Sequence, residues 1–226
     1  MPALQAFEVY RFYHSGDEET AALRGVSLAL DAGEFVALTG PSGSGKSTLL
    51  GCLAGLDEPD GGRVVVMGSR MSRRPEAVRA ALRARHIGMM MQSGNLFEHL
   101  SVADNVRLPR LLMNGIERRA GNRLGGMDDL MRKMGISERR MARPSQLSGG
   151  EAARAALAVA LSADPRVLLA DEPFAEVDSA TEAEILKLLR DRCRGGSAIL
   201  IATHSVELAA TADRVLRLRD GRLVDA

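Results

Sequence analysis

GPSGSGKST, Gly40 to Thr48, follows the apolar run Phe35 to Thr39 and fits the pattern GxxxxGK followed by Ser or Thr, with Gly40, Gly45, Lys46 and Ser47 in register. The order is strand, glycine-rich loop, helix. Glycines at 40, 43 and 45, interleaved with Ser42 and Ser44, permit backbone conformations that a Cβ would forbid, so consecutive N–H groups can converge on phosphate oxygens. A helix opening near Lys46 adds the positive end of its dipole. Lys46 supplies a mobile charge for β- and γ-phosphates, the Ser47 hydroxyl is placed to ligate magnesium, and Thr48 adds an α-phosphate contact. An ordinary Gly/Ser turn would need neither a lysine at that offset nor an apolar strand ahead of it.

Downstream, VLLADEP, Val167 to Pro173, runs four apolar residues into two acids and a proline, as a buried parallel strand does at its carboxyl edge. Ligands of open α/β sheets bind at that edge. Asp171 is a second holder for magnesium, and Glu172 is then free to polarise an attacking water, a contribution of about 10² to 10⁴ in rate. Two acids could merely solubilise a strand end, but the loop at 40 to 48 gives them a partner. Between the two lies LSGGE, Leu147 to Glu151. Ser148 sits where a cap would, before a helix from Glu151 to Ser162 whose Ala153, Leu157 and Leu161 recur on one face. A cap alone gives no reason for Gly149 and Gly150. A second anion-binding helix start suggests a second phosphate contact, most simply to ATP held by another subunit.

In this order the three motifs resemble the nucleotide-binding domain of ABC transporters, from about residue 4 to residue 223. The resemblance implies an α/β fold: a P-loop NTPase core with a parallel sheet, an antiparallel β subdomain and a helical signature subdomain. It implies one domain over 1–226, with the helical part, about 101–146, inserted in a RecA-like core. It also assigns roles. Tyr13 is similar to the aromatic residue that stacks on adenine, although Tyr10 or Phe12 could take that place. Gln92, after Ile87 to Met91, resembles the glutamine that reaches magnesium and the attacking water. Asp178 matches the aspartate that addresses the opposite site across a dimer, and His204 the histidine that contacts the γ-phosphate and orders the Glu172 water. Ser148, Gly149 and Gly150 then grip ATP in trans.

ATP and magnesium are the implied cofactors, and an ATPase reaction yielding ADP and phosphate is the implied activity. The implied partners are a second copy of the chain, closed on ATP as a sandwich, and an integral membrane permease subunit. The chain is then cytoplasmic and peripheral on the inner face of the cell membrane. LAGLD at Leu53 to Asp57, Ala170 and NLFEHLSVADNV after Gln92 resemble the macrolide-export, lipoprotein-release and cell-division branch, which implies export, extraction or mechanotransmission through a separate membrane subunit, with permease contacts around Asn95 to Val102. An importer ATPase, or a regulatory protein whose output is dimerisation, is the alternative. Departures from the family pattern are Ala152, Ala153, Val159, Ser205 and AEVD at Ala175 to Asp178; none removes a phosphate, magnesium or base group.

With 30 basic and 29 acidic residues the net charge is +1, which gives no field for non-specific capture of nucleic acid. The length of 226 residues suits one such domain, no signal is visible in Met1 to Glu8, and no apolar run reaches the ~20 residues that span a bilayer. Direct membrane insertion is therefore not expected. Cys52 and Cys193 lack metal-ligand spacing and are expected as reduced thiols.

Short β-like runs at 4–9, 23–30 and 63–67 predict an antiparallel layer. Buried strands are expected at 35–39, 87–91, 167–170 and 198–203, and helices from about 46, 151, 180 and 205. Met127, Leu130, Met131 and Met134 fall at i, i+3, i+4, i+7. The methionines from 89 to 141 read as adaptable packing, or as a groove for a moving helix. The arginines at 70, 73, 74, 79, 83 and 85 read as a solvated face. GNRLGG, Gly121 to Gly126, reads as a flexible turn.

Overall fold

The computed structural model describes residues 2–15, 18–113 and 126–224. Its centre is a six-stranded sheet whose strand order runs β10, β9, β3, β8, β7, β6. These strands are β3 (Phe35–Thr39), β6 (Ile87–Met90), β7 (Val167–Asp171), β8 (Ala198–Ala202), β9 (Arg214–Arg219) and β10 (Arg222–Val224). All pairs are parallel except the edge hairpin of β9 and β10. Apolar runs become central parallel strands because helices and a second sheet cover both faces. Val36, Leu38, Val167, Leu169, Leu200 and Ala202 point into one core, and Phe35, Leu168, Ala170, Ile199 and Ile201 into another.

The first core is closed by the helix after the phosphate loop, α1 (Lys46–Leu53), and by an antiparallel sheet. That sheet is ordered β2, β1, β4, β5, from β1 (Pro2–Ser15), β2 (Glu18–Asp31), β4 (Gly61–Val66) and β5 (Ser69–Arg70). It is larger than the short runs predicted. β1 and β2 pair from Pro2↔Asp31 to Ser15↔Glu18, with register shifts that bend the ribbon and interrupt the sequence alternation. β5 follows a turn at Met67 and Gly68, both with positive φ, 48° and 77°, as a tight hairpin requires.

The second core joins α5 (Gly149–Ser162) and α6 (Ser179–Arg194) to α3 (Val102–Leu112) and α4 (Met127–Lys133). Leu130, Met131 and Met134 are fully buried here, as their spacing predicts, and Met127 packs beside them. Packing is thus the role of these methionines; Met141 is exposed instead. Of GNRLGG, residues 121–125 lie outside the described residues.

Of the arginines expected as a solvated face, Arg70, Arg73, Arg74 and Arg85 are exposed, while Arg79 and Arg83 are half-buried. Arg79, Arg83 and Arg85 belong to α2 (Glu76–His86), in which Arg79 pairs with Glu58 at 2.9 Å and with Glu76 at 2.7 Å. Arg83 donates to the Gly55 carbonyl at 2.8 Å and pairs with Glu76. Two of the guanidiniums therefore pin α2 to the loop after α1. The short helix α7 (Val206–Ala210) follows β8, capped by Ser205. Both cysteines are buried free thiols, and burial first of all pushes Cys52 up to about 12 and Cys193 to about 11. No helix among the described residues is long and apolar enough to cross a membrane.

Candidate active site

The register pairs Leu38 with Ala202, Ala202 with Asp171, and Ala170 with Met90. The carboxyl ends of β3, β8, β7 and β6 therefore lie level, and the residues that follow them converge on one edge. Tyr13, Ser42, Gly43, Gly45, Lys46, Ser47, Thr48, Gln92, Asp171, Glu172 and His204 line a single cleft of about 550 Å³.

The phosphate loop wraps back on its own lysine. The Lys46 ammonium, on a residue only 7% exposed, donates to the Gly40 carbonyl at 2.7 Å and to Pro41 at 3.2 Å, and lies 3.4 Å from His204 Nε2. Among the described residues no carboxylate pairs with it, so its charge favours an anion. Gly45 has φ 103°, and a methyl on it would come within 2.5 Å of the Ala22 carbonyl. Only glycine brings the loop this close to β2. The Ser44 hydroxyl is buried without a partner behind the loop, while Gly43 has open space beside it. A buried ammonium and open backbone at Gly43 together fit a polyphosphate.

Ser47 Oγ donates to Asp171 Oδ2 at 2.5 Å, which places two hard oxygen ligands side by side, with Gln92 lining the same cleft. That donor set fits magnesium, which binds few protein oxygens and keeps its waters. Glu172, one residue on, is left-handed with φ 49°, a conformation costing about 1 to 3 kcal/mol that the surroundings must impose. Its N–H donates to the Ala202 carbonyl at 2.9 Å, which holds it there. The Thr203 hydroxyl donates to Oε2 at 3.3 Å, while Oε1 is buried without a hydrogen bond, 3.6 Å from His204 Nε2. One carboxylate oxygen is anchored and the other faces His204 without a hydrogen bond.

Of the three aromatic candidates on β1, only Tyr13 lines this cleft. Tyr10 and Phe12 stack on each other at 6.5 Å, and Tyr10 packs over Gly25 and Gly61. A β-strand alternates its faces, so Phe12 cannot share the face of Tyr13.

Ser148, Gly149, Gly150 and Asp178 stand apart from the phosphate cleft. Ser148 caps α5: its hydroxyl accepts the Glu151 N–H at 3.2 Å, and Glu151 accepts the Ser148 N–H at 2.9 Å. The helix thus begins two residues earlier than the sequence predicts, because the cap needs Gly149 and Gly150 as its first turn. The Asp178 carboxylate caps α6 through the Thr181 N–H at 3.0 Å. Sequence inspection missed Glu176: a methyl on Gly150 would lie 2.5 Å from the Glu176 carbonyl oxygen, and one on Gly149 would overlap its carboxylate. The two glycines therefore already have a partner within their own chain. Gly149 and Glu176 line a second cleft of about 690 Å³ that shares Gln92, Asp171, Glu172 and His204 with the first.

The chain is similar to known proteins in both sequence and structure. A family model described as ABC transporter matches residues 23–175. A lipoprotein-releasing system ATP-binding protein LolD of Ruegeria pomeroyi is 44% identical, over 98% of this chain and 97% of its own length. A macrolide export ATP-binding/permease protein MacB of Chlorobium luteolum is 42% identical over 99% of this chain, which spans only 33% of that protein. The solved dimeric post-hydrolysis state of the ATP-binding cassette MJ0796, bound to ADP and Pi, superposes with a TM-score of 0.88 at 31% identity, covering 98% of this chain and 97% of that one.

Proposed function

We propose, because this chain belongs to the ABC transporter family and is one of its ATP-binding, ATP-hydrolysing cassettes, that two copies close head to tail on ATP and drive a separate integral membrane permease subunit in export or extraction. The observation that carries this is the division of the site. One chain gathers cradle, acid pair and histidine in a single cleft and presents Ser148, Gly149 and Gly150 on a helix start outside it. The positive end of α5 suits an anion, and the Glu176 carboxylate that lies against Gly149 in the single chain would move aside for one brought by a second copy.

Within the cleft, Lys46 and the amides of the loop bind the β- and γ-phosphates. Ser47, Asp171 and Gln92 would hold magnesium, which when bound neutralises charge on the phosphate oxygens. Glu172 takes the proton of the attacking water on its unpaired oxygen, and His204 orients that water against the γ-phosphate. Tyr13 receives the adenine.

The relatives named for lipoprotein release and macrolide export support export or extraction over import. For the permease, support comes from an apolar groove of about 370 Å³ lined by Phe97, Leu108, Leu112 and Val159 beside the Gln92 segment. Asn105, only 2% exposed, bonds both backbone groups of Phe97 and so fixes the groove wall. Docking there would put the chain on the cytoplasmic face of the membrane, with α3 and α4 as the helical part that transmits closure.

Glu172→Gln tests the assignment. We expect ATP to convert it to a stable dimer in light-scattering chromatography, with phosphate release reduced at least about 100-fold. A variant that stays monomeric with ATP, or that hydrolyses at the parent rate, would remove Glu172 as the base.

A further inference from the structure

We infer that Asp57 is a positioning residue for the Tyr13 ring, and that through it the far end of the phosphate-loop helix sets where a purine lies relative to the phosphates. This rests on the reading of Tyr13 as the base platform. The Tyr13 hydroxyl donates to Asp57 Oδ2 at 3.1 Å, and the Arg11 guanidinium lies 4.7 Å from the ring centroid. Arg11 is itself held by Asp60 at 3.2 Å, and Asp60 accepts the Phe12 N–H at 2.7 Å. Neither Arg11 nor Asp57 lines the nucleotide cleft, whereas Tyr13 does. The ring is therefore fixed from outside the cleft and presents its remaining surface to it.

Asp57 is built onto the end of α1. Its N–H donates to the Gly51 carbonyl at 3.1 Å, and a methyl on Gly51 would sit 3.1 Å from Oδ2, so the glycine leaves the carboxylate its place. A carboxylate at a helix C-terminus faces the negative end of the dipole and gains nothing for the helix. The Tyr13 hydroxyl is the side-chain partner that it has there. One eight-residue helix thus carries the phosphate cradle at its first turn, and the loop bonded back onto its last turn carries the anchor of the base platform. A rotation of Tyr13 by loss of that anchor would cost base binding and leave phosphate binding as it was.

Calorimetric titration with ADP and, separately, with tripolyphosphate tests this on the full chain. Asp57→Ala should weaken ADP about three- to tenfold, the size of one hydrogen bond, and leave tripolyphosphate unchanged. Tyr13→Phe should match it, the double variant should be no worse than either, and Asp57→Asn, which still accepts the bond, should restore affinity. In turnover the same variants should raise the KM for ATP and spare kcat. An equal loss of tripolyphosphate affinity in Asp57→Ala, or a full further loss in the Tyr13→Phe background, would overturn the inference. Tyr13→Ala separates the two levels. If it keeps full ADP affinity, the base platform itself is misassigned; if it loses ADP while Asp57→Ala does not, only Asp57's part falls.

Discussion

Ser148 and Glu151 close the first turn of α5 on each other. The Ser148 oxygen accepts the Glu151 amide, and its hydroxyl also bonds the Glu151 carboxylate. Glu151 completes the cap and pairs with Arg139 at 2.8 Å. That Arg139 bond first, then the Ser148 N–H, lowers Glu151 from the usual 4.5 to about 2. The sign follows from the depressed value: the charge stabilises the fold above about pH 4.5 and loses this contribution as pH falls through about 2. Glu151→Gln keeps the cap acceptor without the charge. We therefore expect it to be less stable than the parent at neutral pH and equal to it near pH 2, measured by denaturant unfolding followed by circular dichroism. A gap that persists at pH 2 would place the effect in packing rather than charge.

At the scale of elements, what could be read from sequence was whatever buries an apolar pattern. β3, β7 and β8 were legible because each is a buried run, and α4 because its methionines recur at helical spacing. α2 was not, since none of its residues is fully buried and only Leu82 packs on the core beside the ion pairs that hold it. The same limit hid Asp57 and Glu176, whose partners lie across the fold and leave no local pattern. Glu176 nonetheless gives a sharp contrast between neighbouring glycines. Alanine favours a helix over glycine by about 1 kcal/mol. At Gly149 the obstacle is the movable Glu176 carboxylate, whereas at Gly150 it is a backbone carbonyl 2.5 Å from the added methyl. Gly149→Ala should thus keep parental stability or gain slightly, while Gly150→Ala loses about 1 to 3 kcal/mol by forcing apart the turn at Glu176 and α5. Chemical denaturation of both variants decides this, and an equally mild Gly150→Ala would show that the turn yields freely.

At the scale of the molecule, the six-stranded sheet separates two cores, and the nucleotide cleft lies on the edge where both end. Most of that cleft was readable from motifs, because Lys46, Ser47 and Asp171 lie where the chain places them, and so was the cap of Ser148; its distance from the cleft emerges only from the fold. This separation has a thermodynamic signature. A ligand that binds one folded chain at 100 times its Kd adds about 2.7 kcal/mol, roughly 5 to 10 °C in Tm for a chain of this size, independent of protein concentration. If Ser148 and Gly150 complete the site of a second copy, closure adds a second term by mass action, which grows with protein concentration. Glu172→Gln with ATP and magnesium should show both terms, its Tm climbing over a tenfold rise in protein concentration. With ADP it should show the first alone, and Lys46→Ala should show neither, having lost the charge that binds the phosphates. A Tm for Glu172→Gln with ATP that rises above the unliganded value but ignores protein concentration would mean that one chain holds its nucleotide by itself, and the trans role of the Ser148 helix start would fall.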